Sequence, residues 1–383
     1  MIYICSDCGK EYNVEQIHYL CEECGKDWFP GNKLEGVLEI IYDSQDQAKI
    51  RKHLSINNFF PFNTSDLPNI PVGNTPFYKA EKLSRKHNLN LWIKNDTVNP
   101  TGSYKDRASY WVLAQAKHHK MNKIVCASTG NAGSSLAGIC AATDVKAKIY
   151  IPASAPLGKR AQNIAYGADL ELVDGSYDEA YALSIDYSAD GKSLNRNTGY
   201  NPITIEGKKS VALEIYKQNN FKIPDYIVIP VGDGVILSGV FKGFKDLLEL
   251  GITNSLPRLI GIQSNKSNAI YNYWKSGEYK SLAKANTIAD SISVMSPACA
   301  DLAVRAIKES KGFMVQVDDS KIVGYQMEIA QNSGVFCEPS SAVVAGIFDN
   351  KFMLNPDGQI VLLLTGHGLK DINSILNYQV EEI

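Results

Sequence analysis

The stretch NKIVCASTGNAGSSLAGICAATDVKAKIYIP, Asn122 to Pro152, reads as strand, turn, helix, strand. NKIVCA is a short apolar run of strand length, and KAKIYIP is a second. NAGSSLAGICAATD between them is long enough for a helix. Strand, helix, strand is a βαβ pattern, and it implies a parallel sheet with helices on both faces. The alternation extends both ways. LNLWIKND (Leu89 to Asp96) and LELVD (Leu170 to Asp174) are further runs of strand type, and ASYWVLAQAKHHK and PLGKRAQNIAYGA are further helices. A polar break, DGKSLNRNTGYNP (Asp190 to Pro202), interrupts the pattern. It resumes with EGKKSVALEIYKQN, YIVIPVG, GVFKGFKDLLELG, RLIGIQS, FMVQVDD and QIVLLLTG. The predicted class is α/β, with two wound parallel sheets and a cleft between them.

The 383 residues suffice for two sizeable domains, and 44% hydrophobic against 21% charged is ordinary globular composition. Thirty-nine basic and 41 acidic side chains leave a net charge of -2. That balance gives nothing to attract nucleic acid or an anionic membrane. No apolar run reaches transmembrane length, and MIYICSDCGK lacks the features of a signal peptide. The expectation is a cytoplasmic protein with no nucleic-acid or membrane partner.

Four of the eight cysteines form two CxxC pairs, Cys5 with Cys8 and Cys21 with Cys24. Paired knuckles can set four thiolates around one tetrahedral ion, so a structural zinc is expected here, with a redox dithiol as the alternative. Cys126, Cys140, Cys299 and Cys337 sit among apolar or small neighbours and read as buried free thiols. LEGVLEIIYD (Leu34 to Asp43) alternates like an edge strand, and Phe59 to Pro76 reads as irregular.

Ligands of parallel sheets collect where strands run into helix N-termini. Three such corners stand out: STGNAGSS (Ser128 to Ser135), PVGDGVILSG (Pro230 to Gly239) and LTGHGLKD (Leu364 to Asp371). The first offers close backbone approach and the amide of Asn131. Glycines in the second permit a concave row of N–H donors suited to phosphate. No GxGxxG with a suitably spaced acid and no complete GxxxxGK[ST] loop is present. In NPTGSYKDRAS, Asn99 to Ser109, a lysine opens a helix whose positive end disfavours cations. An aromatic aldehyde phosphate would use all of these: Lys105 for a Schiff base, the second corner for phosphate, Asn131 for the ring hydroxyl.

NPTGSYKDR, STGNAGSS, LGKRAQNIAYGA, NPITIEGKKS, PVGDGVILSGVFKGFKDL and LTGHGLKD together resemble, in order and spacing, the threonine synthase family. The likeness runs from about residue 70 to 371. It implies the tryptophan synthase β-subunit-like architecture, fold type II of the pyridoxal 5′-phosphate enzymes, with two doubly wound domains and an N-terminal zinc-ribbon-like segment. The implied division is residues 1–30 for the ribbon, 31–95 with 202–383 for the large cofactor-binding domain, and 96–201 for the small one. Lys105 is implied as the aldimine lysine and proton shuttle, and Asn131 as neighbour of the phenolic oxygen. Gly232, Asp233, Gly234, Val235 and Ile236 are implied around the phosphate, and Thr365 at the pyridine nitrogen. The implied reaction converts O-phospho-L-homoserine and water to L-threonine and phosphate, in a homodimer.

Two departures qualify the resemblance. The phosphate run is usually Gly-Asn-Gly/Ala-Gly-Asn, so Asp233 and Ile236 are unusual. More consequentially, Thr204 stands where the family carries the arginine that binds substrate phosphate, and Thr198 with Gly199 replaces an Asn-Ser pair. A threonine hydroxyl does not substitute for a bidentate guanidinium. Lys159, Arg160, Lys208 and Lys209 are candidate substitute charges, or plain solvated surface. The alternative reading keeps the cofactor and assigns β-elimination or β-replacement on threonine, serine or O-phosphoserine. His367 could touch the ring or substrate, and the EPSSA segment, Glu338 to Ala342, resembles a loop near the cofactor in the same family; since a structural imidazole and a capped helix N-terminus explain them equally well, both stay outside the predicted catalytic set.

Overall fold

The computed structural model describes residues 1–155 and 157–381. Along the chain the elements run β1 (Ile2–Cys5), β2 (Glu11–Asn13), β3 (Leu38–Ile41), α1 (Ser44–Lys52), β4 (Phe77–Lys79), α2 (Glu81–His87), β5 (Asn90–Asn95) and α3 (Lys105–His118). There follow β6 (Lys123–Ala127), α4 (Asn131–Ala141), β7 (Lys146–Pro152), α5 (Leu157–Ala165), β8 (Asp169–Val173), α6 (Tyr177–Ser188), β9 (Leu194–Asn195) and α7 (Ile203–Gln218). The C-terminal half holds β10 (Tyr226–Pro230), α8 (Val235–Glu249), β11 (Arg258–Ser264), α9 (Ala269–Ser276), α10 (Ala300–Glu309), β12 (Phe313–Val317), α11 (Ile322–Ser333), α12 (Pro339–Ala342), β13 (Gln359–Leu364) and α13 (Asn373–Glu381). Pro156, the first residue of the helix expected at PLGKRAQNIAYGA, lies outside the described residues.

Contacts group the chain into two units, 1–73 with 105–210 and 74–104 with 211–383. The first unit holds a parallel sheet in the order β8-β7-β6-β9 and a small antiparallel sheet, β2-β1-β3. Its small sheet alternates in burial, as a one-sided sheet should, with Tyr3 and Cys5 inside and Ile2 and Ile4 partly exposed. β3 pairs with β1 at one edge, which keeps residues 31–73 in the first unit, whereas the sequence division put them with the large domain. In α3, residues 106–109 and 111–116 are all buried, so this helix is covered on every side rather than amphipathic. Phe60 stacks on its Trp111 with ring centroids 3.5 Å apart. β9 is a strand within the polar break. It is held by side-chain amides: Asn195 Nδ2 donates to the Ser184 carbonyl at 3.0 Å, and Asn197 Oδ1 accepts from the Ala127 amide at 2.8 Å.

The second unit is built on a six-stranded sheet, β12-β11-β10-β13-β5-β4, parallel except for the edge pair β4–β5. All five residues of β10 are buried, which explains the unbroken apolar run of this central strand. Its core combines Val228, Ile260, Leu362 and Ile93 from the strands with Val343, Ile347 and Phe348. From β10 the order runs outward through β11 and β12 on one side and through β13 and β5 on the other. The strand ends of β10 and β13 therefore flank the point where the winding reverses, and ligands of such sheets bind there. Among the described residues no helix is long and apolar enough to cross a membrane.

Candidate active site

The three neighbouring strands β10, β13 and β5 each deliver a candidate segment at the carboxyl end. After β10 the chain turns through Val231, Gly232, Asp233 and Gly234 into α8. Gly234 caps α8 with φ +84°, a conformation that disfavours side chains, and a Cβ there would sit 2.7 Å from the Cys299 carbonyl oxygen. A Cβ on Gly232 would meet Ile292 Cα at 2.9 Å. The Asp233 carbonyl accepts from the Cys299 amide at 2.9 Å, fixing the turn from behind. Gly232, Asp233 and Ile236 remain partly exposed, while Val235 is buried. The turn thus presents backbone and the first N–H groups of α8, which have no intrahelical acceptors, in the manner of a phosphate cradle.

β13 ends at Leu364, and Thr365 follows, 6% exposed. Its amide donates to Ser341 Oγ at 2.8 Å and its carbonyl accepts from the Tyr104 amide at 2.8 Å. Its hydroxyl has no hydrogen-bond partner among the described residues. Ser341 lies in the EPSSA segment, so that segment positions Thr365, a role that sequence reasoning left unassigned. Glu338 packs on Gly366, where a Cβ would lie 2.3 Å from its carboxylate. His367 Nδ1 accepts from the Leu369 amide at 3.1 Å, which supports the structural reading of this imidazole.

β5 leads into the turn before Lys105. The Gly102 amide closes on the Asn99 carbonyl at 2.7 Å, with Pro100 and a Gly102 of φ +72° in the places such a turn favours. The turn is stapled to the β13 exit by a bridge between Ser103 and Gly366, and by the His367 amide on the Gly102 carbonyl at 2.9 Å. Lys105 is the next residue but one after Ser103. It is the first residue of α3 and half-buried.

In the first unit, the corner after β6 places Asn131 as the first residue of α4, 9% exposed. Gly133 is confined there, since a Cβ would lie 3.0 Å from the Ser128 carbonyl oxygen. β9 lies parallel beside β6, so the segment from Arg196 to Thr204 leaves the sheet at the same end. Thr204 is fully buried: its Oγ1 accepts from the Gly199 amide at 2.9 Å and donates to the Asn201 carbonyl at 2.7 Å. It closes its own turn rather than presenting a hydroxyl.

The expectation for the substitute cations needs correction. Lys208 and Lys209 are neither solvated nor presented to a ligand, because both are fully buried. Lys208 Nζ donates to the Thr204 carbonyl at 2.9 Å, and Lys209 pairs with Glu206 and donates to Tyr42 Oη at 2.6 Å. Arg160 reaches the Ala153 carbonyl. The side chain of Lys159 lies outside the described residues.

The four N-terminal cysteines converge, with all ligand atoms within 4.8 Å of one another. Both knuckles close alike: the Gly9 amide donates to the Cys5 carbonyl at 3.1 Å and the Gly25 amide to the Cys21 carbonyl at 2.8 Å. Cys8 and Cys21 Sγ are 3.7 Å apart, close to the edge of about 3.8 Å that Zn–S bonds of about 2.3 Å produce in a tetrahedron. Burial pushes the Cys21 thiol up, but the amides of Cys24 and Glu23 and the Tyr12 hydroxyl outweigh it and bring it to about 6. Two residues before Cys21, Tyr19 stacks on Tyr200 at 4.8 Å and accepts the Asn195 amide at 2.8 Å. Cys126, Cys140, Cys299 and Cys337 are buried free thiols, as expected.

Comparisons with known proteins match residues 69–366 to the family of pyridoxal-phosphate dependent enzymes. A threonine synthase of Methanosarcina acetivorans is 34% identical over 97% of this chain and 93% of its own length. One from Methanocaldococcus jannaschii is 33% identical over 100% of this chain and 96% of its own. Among solved structures, a processed threonine deaminase isoform from Solanum lycopersicum superposes with a TM-score of 0.70 at 21% identity, over 92% of this chain and 93% of that one. That likeness is one of fold.

Proposed function

Since the chain belongs to the threonine synthase family of pyridoxal-phosphate dependent enzymes, and is a lyase, we propose that it converts O-phospho-L-homoserine and water to L-threonine and phosphate. The observation carrying this reading is similarity to threonine synthases along nearly the whole chain, cysteine segment included. Pyridoxal phosphate, when bound, supplies an electron sink for a carbanion at the substrate Cα.

The residues divide the remaining work. The amides around Gly232, Asp233, Gly234, Val235 and Ile236 would receive the cofactor phosphate, in a turn whose shape excludes a side chain at 234 because its Cβ would strike the Cys299 carbonyl. The Thr365 hydroxyl, on a residue whose backbone amide is held by Ser341, would serve the pyridine nitrogen, and the Asn131 amide, at the start of α4, would serve the phenolic oxygen. The Lys105 amine holds the cofactor, then takes the Cα proton and returns protons at the neighbouring carbon. Cys5, Cys8, Cys21 and Cys24 bind a structural zinc that contributes to folding and not to chemistry. We place the enzyme in the cytoplasm as a homodimer acting on a small amino acid.

Thr204 favours a second reading, because its hydroxyl is consumed inside its own turn and supplies no guanidinium. That reading is β-elimination or β-replacement on threonine, serine or O-phosphoserine. Assays of phosphate and threonine formation from O-phospho-L-homoserine, beside 2-oxoacid formation from threonine and serine, separate the two. Oxoacid without threonine would overturn the first reading.

A further inference from the structure

The loop from Gly277 to Cys299, between α9 and α10, contains no strand and no α-helix, yet it forms the back of the phosphate corner. A Cβ on Gly232 would meet Ile292 Cα, and one on Gly234 would meet the Cys299 carbonyl oxygen, so the loop bounds the turn at both glycines. A segment without a regular backbone ladder keeps its place through the groups that receive its N–H and C=O groups. Two of these come from the ends of β11 and β12. Ser267 is buried; its Oγ donates to the Ile292 carbonyl at 3.0 Å and accepts from the Val294 amide at 3.0 Å. Asp319 is buried too, and accepts from the Ile288 amide at 3.2 Å, from the Thr287 hydroxyl and from Ser264 Oγ at 2.7 Å.

The third hold comes from the opposite side. Ser291, next to Ile292, donates its amide to Ser340 Oγ at 2.9 Å and its hydroxyl to Glu338 Oε2 at 3.3 Å. Both acceptors belong to EPSSA, the segment whose Ser341 Oγ receives the Thr365 amide at 2.8 Å. The segment is stiff, because the Ser341 and Ala342 amides both return to the Glu338 carbonyl, at 2.9 and 3.0 Å. Adjacent side chains of one short turn thus grip the wall of the phosphate corner and the residue at the end of β13. A shift of the wall at Ile292 is therefore transmitted to Thr365, and the reverse.

We propose that Ser291 and Ser340 are positioning residues for the cofactor, whose clasp sets the spacing between the phosphate site and the Thr365 hydroxyl. The inference deepens the proposed function and rests on its placement of the cofactor phosphate at residues 232–236 and of the ring nitrogen at Thr365.

The test measures cofactor affinity by fluorescence titration with pyridoxal phosphate, the phosphorus resonance of the bound cofactor at saturation, and unfolding of the cofactor-free protein. The variants are Ser340→Ala, Ser291→Ala and Ser291→Thr. Asp233→Asn, which removes a charge from the phosphate turn without changing its size, marks the phosphate site. Loss of one hydrogen bond corresponds to about 3–10-fold in affinity, so Ser340→Ala and Ser291→Ala weaken cofactor binding by about this factor. Both also move the phosphorus resonance, although neither residue belongs to the phosphate turn. Ser291→Thr keeps the hydroxyl and restores affinity and resonance. If Ser340→Ala fails to fold, the two variants of Ser291 decide, since that residue is exposed. Weaker unfolding with affinity and resonance unchanged is a purely structural effect and overturns the proposal. A resonance that moves in Asp233→Asn but in neither alanine variant overturns only this inference. A resonance unmoved in Asp233→Asn overturns the placement of the phosphate, and the inference with it. Threonine formation is scored separately, so its absence beside the expected shifts overturns only the proposed reaction.

Discussion

Replacing Gly234 by alanine isolates the physical demand of the phosphate corner. Two costs arise. An L-residue in the left-handed region loses roughly 1–2 kcal/mol, and Gly234 lies there with φ +84°. The added methyl would stand 2.7 Å from the Cys299 carbonyl oxygen and 2.9 Å from Ala303 Cβ, contacts that real structures do not tolerate. Overpacking of this kind costs about 1–3 kcal/mol. If the loop holds its shape, the variant should lose about 2–5 kcal/mol in urea unfolding. If the loop yields, the amides move off the phosphate position, and about 3 kcal/mol would appear instead as a roughly hundredfold weaker cofactor affinity. Gly251→Ala is the internal control: φ there is +65°, but nothing lies within 4 Å of the new methyl. It should show the backbone cost alone. The assay is paired, with denaturant unfolding of cofactor-free protein and fluorescence titration with pyridoxal phosphate. Gly234→Ala matching Gly251→Ala in both measurements would refute the crowding argument.

Other expectations are equally specific. Lys94 and Glu214 form a buried pair at 2.7 Å, with side chains 0% and 5% exposed; Glu214→Gln removes the negative charge while the Thr75 carbonyl and Gln218 Oε1 still accept from the ammonium, and should cost about 1.5–3 kcal/mol in unfolding free energy. A loss under 1 kcal/mol would contradict this. Lys321, 2.9 Å from Asp349, together with the Tyr325 hydroxyl at 2.7 Å, holds that carboxyl below its ordinary value of 3.8. Its stabilising contribution is therefore present above about pH 4 and is lost as pH falls through the lowered value. An NMR titration should find the midpoint under 3.8, and one at or above it would be contrary. Metal analysis should find one zinc per chain. Stripping it under denaturant-free conditions should change near-ultraviolet circular dichroism through Tyr19, Trp28 and Tyr200, whose rings pack together beside the ribbon. Unchanged dichroism after confirmed removal would contradict that coupling.

The parts of this protein that apolar periodicity governs were readable from sequence: the strands at Asn122 to Pro152, β10, β11, β13 and the long helices all fall where runs of hydrophobic residues place them. β9 was not, because it is a two-residue strand in a polar break, retained by the amides of Asn195 and Asn197 rather than by apolar burial. Lys208 and Lys209 misled in the opposite direction. Their residue type suggests solvent, yet residues 201–216 are buried without interruption, and Glu206, Tyr42 and the Thr204 carbonyl receive the two amines. The departure at Thr204 was legible as a missing charge, but its role as a turn lock depends on Gly199 and Asn201 coming back toward it. The resemblance put EPSSA near the cofactor, but the bond from the Thr365 amide to Ser341 Oγ was visible only in the fold, since nothing local ties that segment to the end of β13.

The most direct measurement concerns the amine at position 105. The holoenzyme is treated with borohydride, digested, and the peptides are mapped by mass spectrometry. The account predicts that the cofactor is fixed onto the peptide containing Lys105, and that Lys105→Ala protein carries no covalent label there or elsewhere. Label on a different lysine, or undiminished labelling of Lys105→Ala, would contradict it.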